Sequence, residues 1–115
     1  MNLQKQVAGA LRSVCQNATH LHANQQITLP SVTYFESKFQ PCVFADDEGM
    51  MVYREFTIEV GAKTVWEVNQ TGEAIRPVME ALQFDLKSAS TGFIREKDLH
   101  TKTYCYALTT LEKRQ

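Results

Sequence analysis

The sequence predicts an α+β fold, in which two helices pack on one face of a roughly four-stranded, mainly antiparallel sheet. Three observations support this prediction. Apolar residues recur at three- and four-residue steps in two segments, which is typical of amphipathic helices. Between and after these segments they alternate with polar residues, which is typical of strands with one wet face. An apolar sheet face needs a cover, and the two helices supply it in the order α-β-β-α-β-β.

The first helix is predicted over roughly Leu3 to Ala23, and Asn24 is a typical residue for its end. Its apolar face consists of Leu3, Val7, Ala10, Leu11, Val14, Ala18 and Leu21.

An extended segment is predicted to follow from Pro30, because the residue before a proline avoids helical conformation. Val32 and Tyr34 would share one face of this strand, with Thr33 and Phe35 on the other. Pro41 punctuates the strand, and residues 42–44 are expected to continue it beyond a bend.

The second strand is predicted over Met50 to Val60, after a turn at Asp46 to Gly49, where glycine can take a positive φ. Arg54 interrupts its apolar face, which indicates a position near the exposed start of the strand. The remaining apolar residues of that face are Val52, Phe56, Ile58 and Val60. The polar face consists of Tyr53, Glu55, Thr57 and Glu59.

The second helix is predicted to begin with a capping box formed by Thr64 and Glu67. Gly72 lies on its apolar face, where it would permit close approach of another part of the chain. Pro77 is expected to kink the helix, and an equally allowed interpretation breaks it near Asn69 to Gly72 into two pieces. The apolar face consists of Val65, Val68, Gly72, Ile75, Met79 and Leu82.

Two more strands are predicted near the end of the sequence. The first runs from Phe84 to about Ser90, and Thr91-Gly92 is expected to turn the chain. The second runs from Lys102 to Thr110, with Tyr104 and Tyr106 on one face.

The bulk properties indicate one soluble domain spanning residues 1–115. The formal net charge is −1 and the charges are scattered. Nucleic-acid binding and attraction to anionic membranes are therefore not expected, because both need clustered basic residues. No apolar run approaches the roughly 18 residues of a membrane span, and the N-terminal residues do not resemble a secretory signal. The three widely spaced cysteines indicate a reduced cytosolic protein.

No catalytic, metal or cofactor site is predicted. His20 and His22 are two residues apart, so on a helix they point away from each other. The acidic turn at Asp46 to Glu48 lacks the alternating ligands of a calcium loop. The cysteines have no local signature of a nucleophile.

Other side chains are candidates for contacts with a partner. Trp66, the only tryptophan, stands at the start of the second helix, where core and interface roles are equally open. Tyr53 lies on a wet face, where the alternative is cross-strand packing. Arg76 and Arg95 could pair with a neighbouring chain, although solvated arginines are more common.

Taken in order, the pattern resembles the tail-completion or tail-terminator proteins of long-tailed, lambda-like bacteriophages. The resemblance spans about Leu3 to Thr110. Besides the first helix, its pieces are Leu29-Pro30-x-Val32-x-Tyr34, Phe44-Ala45-Asp46, Val52-Tyr53-x-x-Phe56-x-Ile58-Glu59-Val60, Ile75-Arg76-Pro77-Val78-Met79, Phe84, Glu96 and Tyr104-x-Tyr106.

This resemblance implies a structural protein without enzymatic activity or cofactors. Such a protein caps the tail tube as a ring, with six copies expected, ends tube polymerisation and prepares the tail for head joining. Its partners would be further copies of itself, the tail tube protein and head-tail connector proteins. It would act in the host cytoplasm during assembly and then reside in the virion tail.

Ring and tube contacts are expected on the hairpin from Phe44 to Tyr53 and on a loop from Thr91 to His100. The candidate interface residues are Phe44, Asp46, Asp47, Tyr53, Arg54, Trp66, Arg95 and Glu96.

Two alternatives come from other functional classes. A small cytosolic ligand-binding or regulatory module would need a pocket, for which turns at Gly61 and Gly92 could form the rims. A small hydrolase would use one of the cysteines as its nucleophile.

Overall fold

The computed structural model describes residues 3–15, 18–20, 29–45 and 49–112. Within these ranges the chain forms two α-helices, five strands and one short 3-10 turn. In chain order the elements are α1 (Leu3–Val14), β1 (Thr19–His20), β2 (Ser31–Ala45), β3 (Gly49–Ala62), α2 (Val65–Ala81), β4 (Asp85–Ile94), the 3-10 turn (Arg95–Lys97) and β5 (Leu99–Glu112).

The strands form one sheet in the order β1-β2-β3-β5-β4. All neighbours are antiparallel except β1, which pairs in parallel with β2 through Thr19 and His20. The two helices pack on one face of the four longer strands, so the predicted fold class is confirmed. The two-residue β1 is an addition at the edge of the sheet.

The first helix is shorter than predicted. It ends at Val14 instead of Ala23, and the next backbone hydrogen bonds run from Cys15 N–H to Leu11 C=O and from Ala18 N–H to Cys15 C=O. Ala18 is buried and the following residues pair with β2. Core burial and strand pairing at this point outweigh the helical periodicity, which a local pattern cannot reveal. The predicted helix end at Asn24 lies outside the described residues.

The hairpin of β2 and β3 carries the faces that the alternation predicts. Pairing runs from Ser31 opposite Gly61 to Ala45 opposite Gly49, with irregularities at residues 36–38 and 41–43. The strand continues past Pro41, so that part of the prediction is confirmed, and the second irregularity in its pairing follows this proline. The predicted turn residues at 46–48 lie outside the described part of the chain.

Helix α2 is continuous from Val65 to Ala81, so the interpretation with two shorter pieces is wrong. Thr64 caps it: its Oγ1 accepts a hydrogen bond from the Glu67 backbone N–H at 3.1 Å and its hydroxyl donates to Glu67 Oε1 at 3.2 Å. The buried face is as predicted except that Val65 is exposed. The kink at Pro77 stays a prediction.

The core lies between the helices and the covered face of the sheet. The rings of Phe56 and Phe84 meet edge to face, with centroids 5.6 Å apart. Gly72 of α2 lies directly over the hydroxyl of Tyr104, which confirms the predicted close approach. The fully buried large side chains are Tyr106, Phe56, Phe84, Leu11, Ile58, Ile75, Met79, Val7, Val32, Val52 and Val60.

The turn predicted at Thr91-Gly92 is wrong, because both residues pair with β5 inside the longer strand β4. The chain turns instead at the 3-10 turn and Asp98, which takes a left-handed conformation with φ 49°. Aspartate tolerates this conformation better than most residues do. Glycine suits position 92 of the strand because a Cβ there would meet Thr101 Oγ1 at 2.9 Å. Most β4 side chains are exposed on both faces.

Candidate assembly surface

Of the selected residues that the structure describes, Trp66, Arg95 and Glu96 lie at one end of the sheet, and Phe44, Tyr53 and Arg54 lie in the half toward the other end. We call the end where Ala45 pairs with Gly49 the hairpin end, and the end where Ile94 pairs with Leu99 the turn end. Strand β3 has 14 residues and connects the two ends, a span of about 45 Å. The molecule measures 52 × 24 × 23 Å, so the hairpin and turn candidates cannot form one patch on a single copy.

Arg54, toward the hairpin end, lies on the covered face of the sheet and not at an exposed strand start. Its Nη1 lies 3.3 Å from Glu36 Oε2, and the two side chains are only 17% and 16% exposed. The Nε2 of Gln4 donates to the other Glu36 oxygen at 3.3 Å, which ties the start of α1 to β2. The Arg54 guanidinium also lies 4.8 Å from the ring centroid of Phe39, an exposed aromatic. The Arg54 guanidinium therefore packs against the ring of Phe39, an apolar residue at the surface.

Tyr53 lies on the open face of the sheet and is half-buried, in keeping with the cross-strand packing alternative. The Nζ of Lys38 lies 5.9 Å from its ring centroid. The thiol of Cys105 donates to Glu55 Oε1 at 3.1 Å. This hydrogen bond is the largest cause of a lowered pKa at Glu55, and a hydrogen bond from Tyr53 is the next largest.

Three further candidates belong to the hairpin end by sequence. Phe44 lies in β2 with its backbone opposite Met50. Asp46 and Asp47 lie outside the described residues, so their interface role stays a prediction.

The turn end presents Trp66, Arg95 and Glu96. Trp66 is 68% exposed, so the core alternative for it is wrong, and the preceding Val65 is 55% exposed. Arg95 and Glu96 are exposed on the 3-10 turn. Lys63 Nζ holds this turn against the start of α2 by donating to the carbonyl of Lys97 at 3.3 Å.

Phe93 adds a further exposed aromatic at the turn end, which the sequence analysis did not select. It pairs in register with His100, and their ring centroids are 4.7 Å apart. His100 in turn pairs with Ala62, two residues before Thr64 at the start of α2. Register therefore places Phe93 at the same end of the molecule as Trp66.

A cleft of about 280 Å³ opens at the other end of α2, where the helices stop and the hairpin continues. We call it the leucine cleft, because four leucines dominate its lining. Sequence reasoning missed it because its residues come from four separate segments, although Leu3 and Leu82 were assigned to apolar helix faces. Its lining residues are Leu3, Gln6, Arg54, Leu82, Leu108, Thr110 and Leu111.

A second cleft, of about 300 Å³, lies between α1 and β2 and is more polar. Gln4, Lys5, Arg12 and Glu36 line it together with Tyr34 and other residues. Its charged groups have both signs, and Glu36 is already held by Gln4 and Arg54. The arrangement therefore offers no concentrated charge to a small ligand.

The described residues offer little for catalysis. They contain no group of three or more His, Cys, Asp or Glu side chains that could hold a metal ion. Burial, together with the hydrogen bond to Glu55, raises the pKa of Cys105 to about 11. This thiol stays protonated near neutral pH, which argues against a nucleophilic role. Cys15 is buried, and its Sγ donates to the carbonyl of Pro30.

Neither α1 nor α2 combines the length and the apolar character that crossing a membrane requires.

Comparison with known proteins yields a likeness of fold. A chain from the virion of a native gene transfer agent particle superposes with a TM-score of 0.61 at 12% sequence identity. The match covers 96% of this chain and 95% of that chain. No protein-family model matches the sequence, and the search of curated proteins finds no match. At this identity the likeness concerns the fold, which both chains share from end to end.

Proposed function

We propose that this chain is a virion structural protein of a phage, a prophage or a related particle. The single observation that carries the proposal is the end-to-end likeness of fold to a chain of a gene transfer agent virion. Its coverage is nearly complete in both directions, so the likeness is not limited to a shared substructure. A fold alone does not fix a function, so the finer role rests on other observations.

The finer role that we propose is a non-enzymatic tail terminator. Copies of the chain would form a ring of six on the last ring of the tail tube, stop polymerisation and present a surface to the head connector. The order of sequence motifs from Leu29 to Tyr106 supports this role through its resemblance to tail-completion proteins. It would act in the host cytoplasm during assembly and remain in the virion tail.

The shape of the molecule also supports a ring. A closed ring needs two different contact surfaces on each copy, because head-to-tail contacts join one surface to the other. Exposed large apolar side chains occur toward both ends of this elongated molecule, at Leu111 and Trp66 among others. A net charge of −1 imposes little repulsion between copies.

The decisive experiment is tail length by electron microscopy in the phage or prophage that carries an early stop codon in this gene. Overlong or polydisperse tails without heads are expected, and wild-type protein supplied in trans should restore normal particles. Normal tail length with heads attached would reject the terminator role. Absence of the protein from purified particles, by mass spectrometry, would reject the broader virion role as well.

The alternative of a ligand-binding module has less support. Its proposed rims, Gly61 and Gly92, lie inside strands β3 and β4 and not at turns. A Cβ at Gly61 would meet Ser31 Oγ at 2.9 Å, and one at Gly92 would meet Thr101 Oγ1 at 2.9 Å, so both sites are filled by cross-strand neighbours.

A further inference from the structure

We propose that neighbouring copies of this chain contact each other head to tail, with Trp66 and Val65 of one copy inserted into the leucine cleft of the next. We call Val65 and Trp66 the knob. The inference rests on the proposed ring, and it assigns the two surfaces through which that ring closes. It also predicts that the isolated protein associates without a tail tube.

The knob is an apolar projection at the start of α2. Trp66 is 68% exposed and Val65 is 55% exposed, although α2 buries Val68 and Ile75 further along. A tryptophan left in water forgoes a large hydrophobic gain, and tryptophans in such positions are enriched among the residues that dominate interface energies. Thr64 and Glu67 fix the first helical turn, so the knob is held in place before a partner arrives.

The leucine cleft is a preformed site at the other end of the same helix, lined by four leucines together with Gln6, Arg54 and Thr110. Leu3 comes from α1, Leu82 follows α2, and Leu108 lies in β5, so three elements hold its walls. Its volume of about 280 Å³ accommodates one large aromatic side chain. Leu111 lies at the rim and is half-exposed.

Helix α2 places the knob and the cleft a fixed distance apart. It has 17 residues and so spans about 25 Å, with Trp66 in its first turn and Leu82 just past its end. Two complementary patches at different places on one molecule produce a heterologous contact, which builds a ring when the rotation between copies closes.

A second copy is the occupant that accounts for both ends. The exposed large apolar side chains of the described residues are Val65, Trp66 and Phe93 at the turn end, Leu111 near the hairpin end, and Phe39 near the middle of β2, opposite Arg54. A second copy covers both the knob and the cleft with one kind of partner, because each molecule then offers one surface to each neighbour. Otherwise the knob and the cleft would need two different partners, such as the tube protein and a head connector.

The available apolar area agrees with such a contact. The exposed parts of Phe39, Trp66 and Phe93 amount to roughly 300 Å² in total, given the size of aromatic side chains. This sum covers both partners of one contact, and a stable interface covers about 1,600 Å² on the two partners together, of which the apolar centre is a part and the polar rim the remainder. The near-neutral chain adds no long-range repulsion.

The test uses one variant of each surface. Trp66→Ala removes the knob and leaves the cleft, whereas Leu111→Lys charges the rim of the cleft and leaves the knob. Trp66 is 68% exposed and Leu111 is 49% exposed, so both variants should fold. Light scattering after size exclusion should find large assemblies for the wild type. Each variant alone should associate at least about tenfold more weakly.

Mixing the two variants separates this geometry from others. The Trp66→Ala copy keeps a cleft and the Leu111→Lys copy keeps a knob, so an equimolar mixture should form one-to-one dimers and nothing larger. Trp66 is the only tryptophan, so the mixture contains it only on the Leu111→Lys copy, and its emission should shift to the blue on mixing. Gln70→Ala, on an exposed position of the same helix, should assemble as the wild type does.

Three outcomes would overturn the inference. They are a mixture that stays monomeric, a single variant that assembles as well as the wild type, and a wild type that is monomeric at about 1 mM. None of these removes the proposed function if the stop codon still gives overlong tails, because rings could then form through other surfaces or only on the tube. Normal tails in the stop-codon mutant would reject the terminator role without touching the contact itself.

Discussion

The two faces of the sheet are built by the same strands and have opposite properties. On the face under the helices, Phe56, Ile58 and Tyr106 are fully buried. On the open face, the alternating residues of β3 and β5 include Glu59, which is exposed, and Cys105, which is half-buried. Alternation along a strand thus gives one chain a close-packed interior and a tolerant surface only one residue apart. Stability should depend on the covered face, while association depends on the two ends of the molecule.

The covered face also contains polar groups, and substitutions there can be compared with substitutions at exposed positions. It contains the ion pair of Arg54 and Glu36, and the hydroxyl of Tyr106 is buried there without a hydrogen-bond partner among the described residues. Substitutions at these buried groups should change the unfolding free energy more than substitutions at exposed groups, such as the ion pair of Arg76 and Glu80.

The largest effect is expected at the contact between α2 and the sheet. In Gly72→Ala the new Cβ would collide with the Tyr104 hydroxyl and lie 2.7 Å from its Cζ, and Tyr104 is nearly buried. We expect a loss of about 2 kcal/mol in unfolding free energy, because the cost of overpacking exceeds the gain in helix propensity. Chemical denaturation measures it.

The matched control is Gly9→Ala, in the middle of α1, where a Cβ would meet nothing within 4 Å. It should raise stability by up to about 1 kcal/mol. Equal effects of the two substitutions would mean that helix propensity alone governs both positions and that the close packing of α2 has no energetic weight.

The next effect concerns the ion pair on the covered face. Glu36→Gln removes the charge that faces Arg54, in surroundings where both side chains are about one-sixth exposed. We expect a loss of about 1–2 kcal/mol, below the cost of breaking a fully buried pair. Glu80→Gln breaks the pair with Arg76, whose members are both 56% exposed, and should cost less than about 0.5 kcal/mol. If both substitutions lowered the unfolding free energy by similar amounts, burial would not make the ion pair of Arg54 and Glu36 the stronger of the two.

A smaller effect of opposite sign is expected at Tyr106. Burial raises the pKa of its hydroxyl to about 12. Removing a buried, unpartnered polar atom relieves a desolvation cost, so Tyr106→Phe should increase the unfolding free energy by about 1 kcal/mol. A clear loss in thermal or chemical denaturation would indicate that this hydroxyl makes a hydrogen bond in solution.

The smallest effect belongs to the open face and depends on pH. The pKa of Cys105 is raised from 9.0 to about 11 in the folded chain, so between these values the unfolded chain loses its proton first. Deprotonation then favours the unfolded state, and stability should fall as pH rises from about 9 to 11. Comparison with Cys105→Ser over this range isolates the effect, since the tyrosines titrate in both proteins. If the unfolding free energies of the two proteins changed in parallel with pH, the Cys105 thiol would not have a raised pKa in the folded chain.

Helices were predictable from sequence where an apolar repeat is combined with a capping residue. Where tertiary contacts set the end of an element, the sequence pattern did not predict that end. The Thr64 cap and the spacing of Val68, Gly72 and Ile75 place α2 correctly, because the cap and the buried face both act within the helix. The end of α1 was not predictable, since Thr19 and His20 are in a strand only because β2 lies beside them.

The candidate surface was predictable only in part, for a related reason. The sequence singles out Trp66, yet its exposure depends on where α2 begins relative to the end of the sheet. Val65 continues the apolar pattern of the helix and is nevertheless exposed for the same reason. The leucine cleft needs the relative placement of α1, α2, β3 and β5, which no local pattern contains.

The outermost strand β4 has a consequence for handling the purified protein. Its first part is protected by Lys87, which lies at an irregularity in the pairing with β5, but residues 88–94 have no charge, proline or further irregularity. Such an edge offers unpaired backbone groups to any extended chain and is a known route to aggregation. Turbidity during heating or refolding should therefore rise with concentration, and Ala89→Lys, a charge on this edge, should delay it.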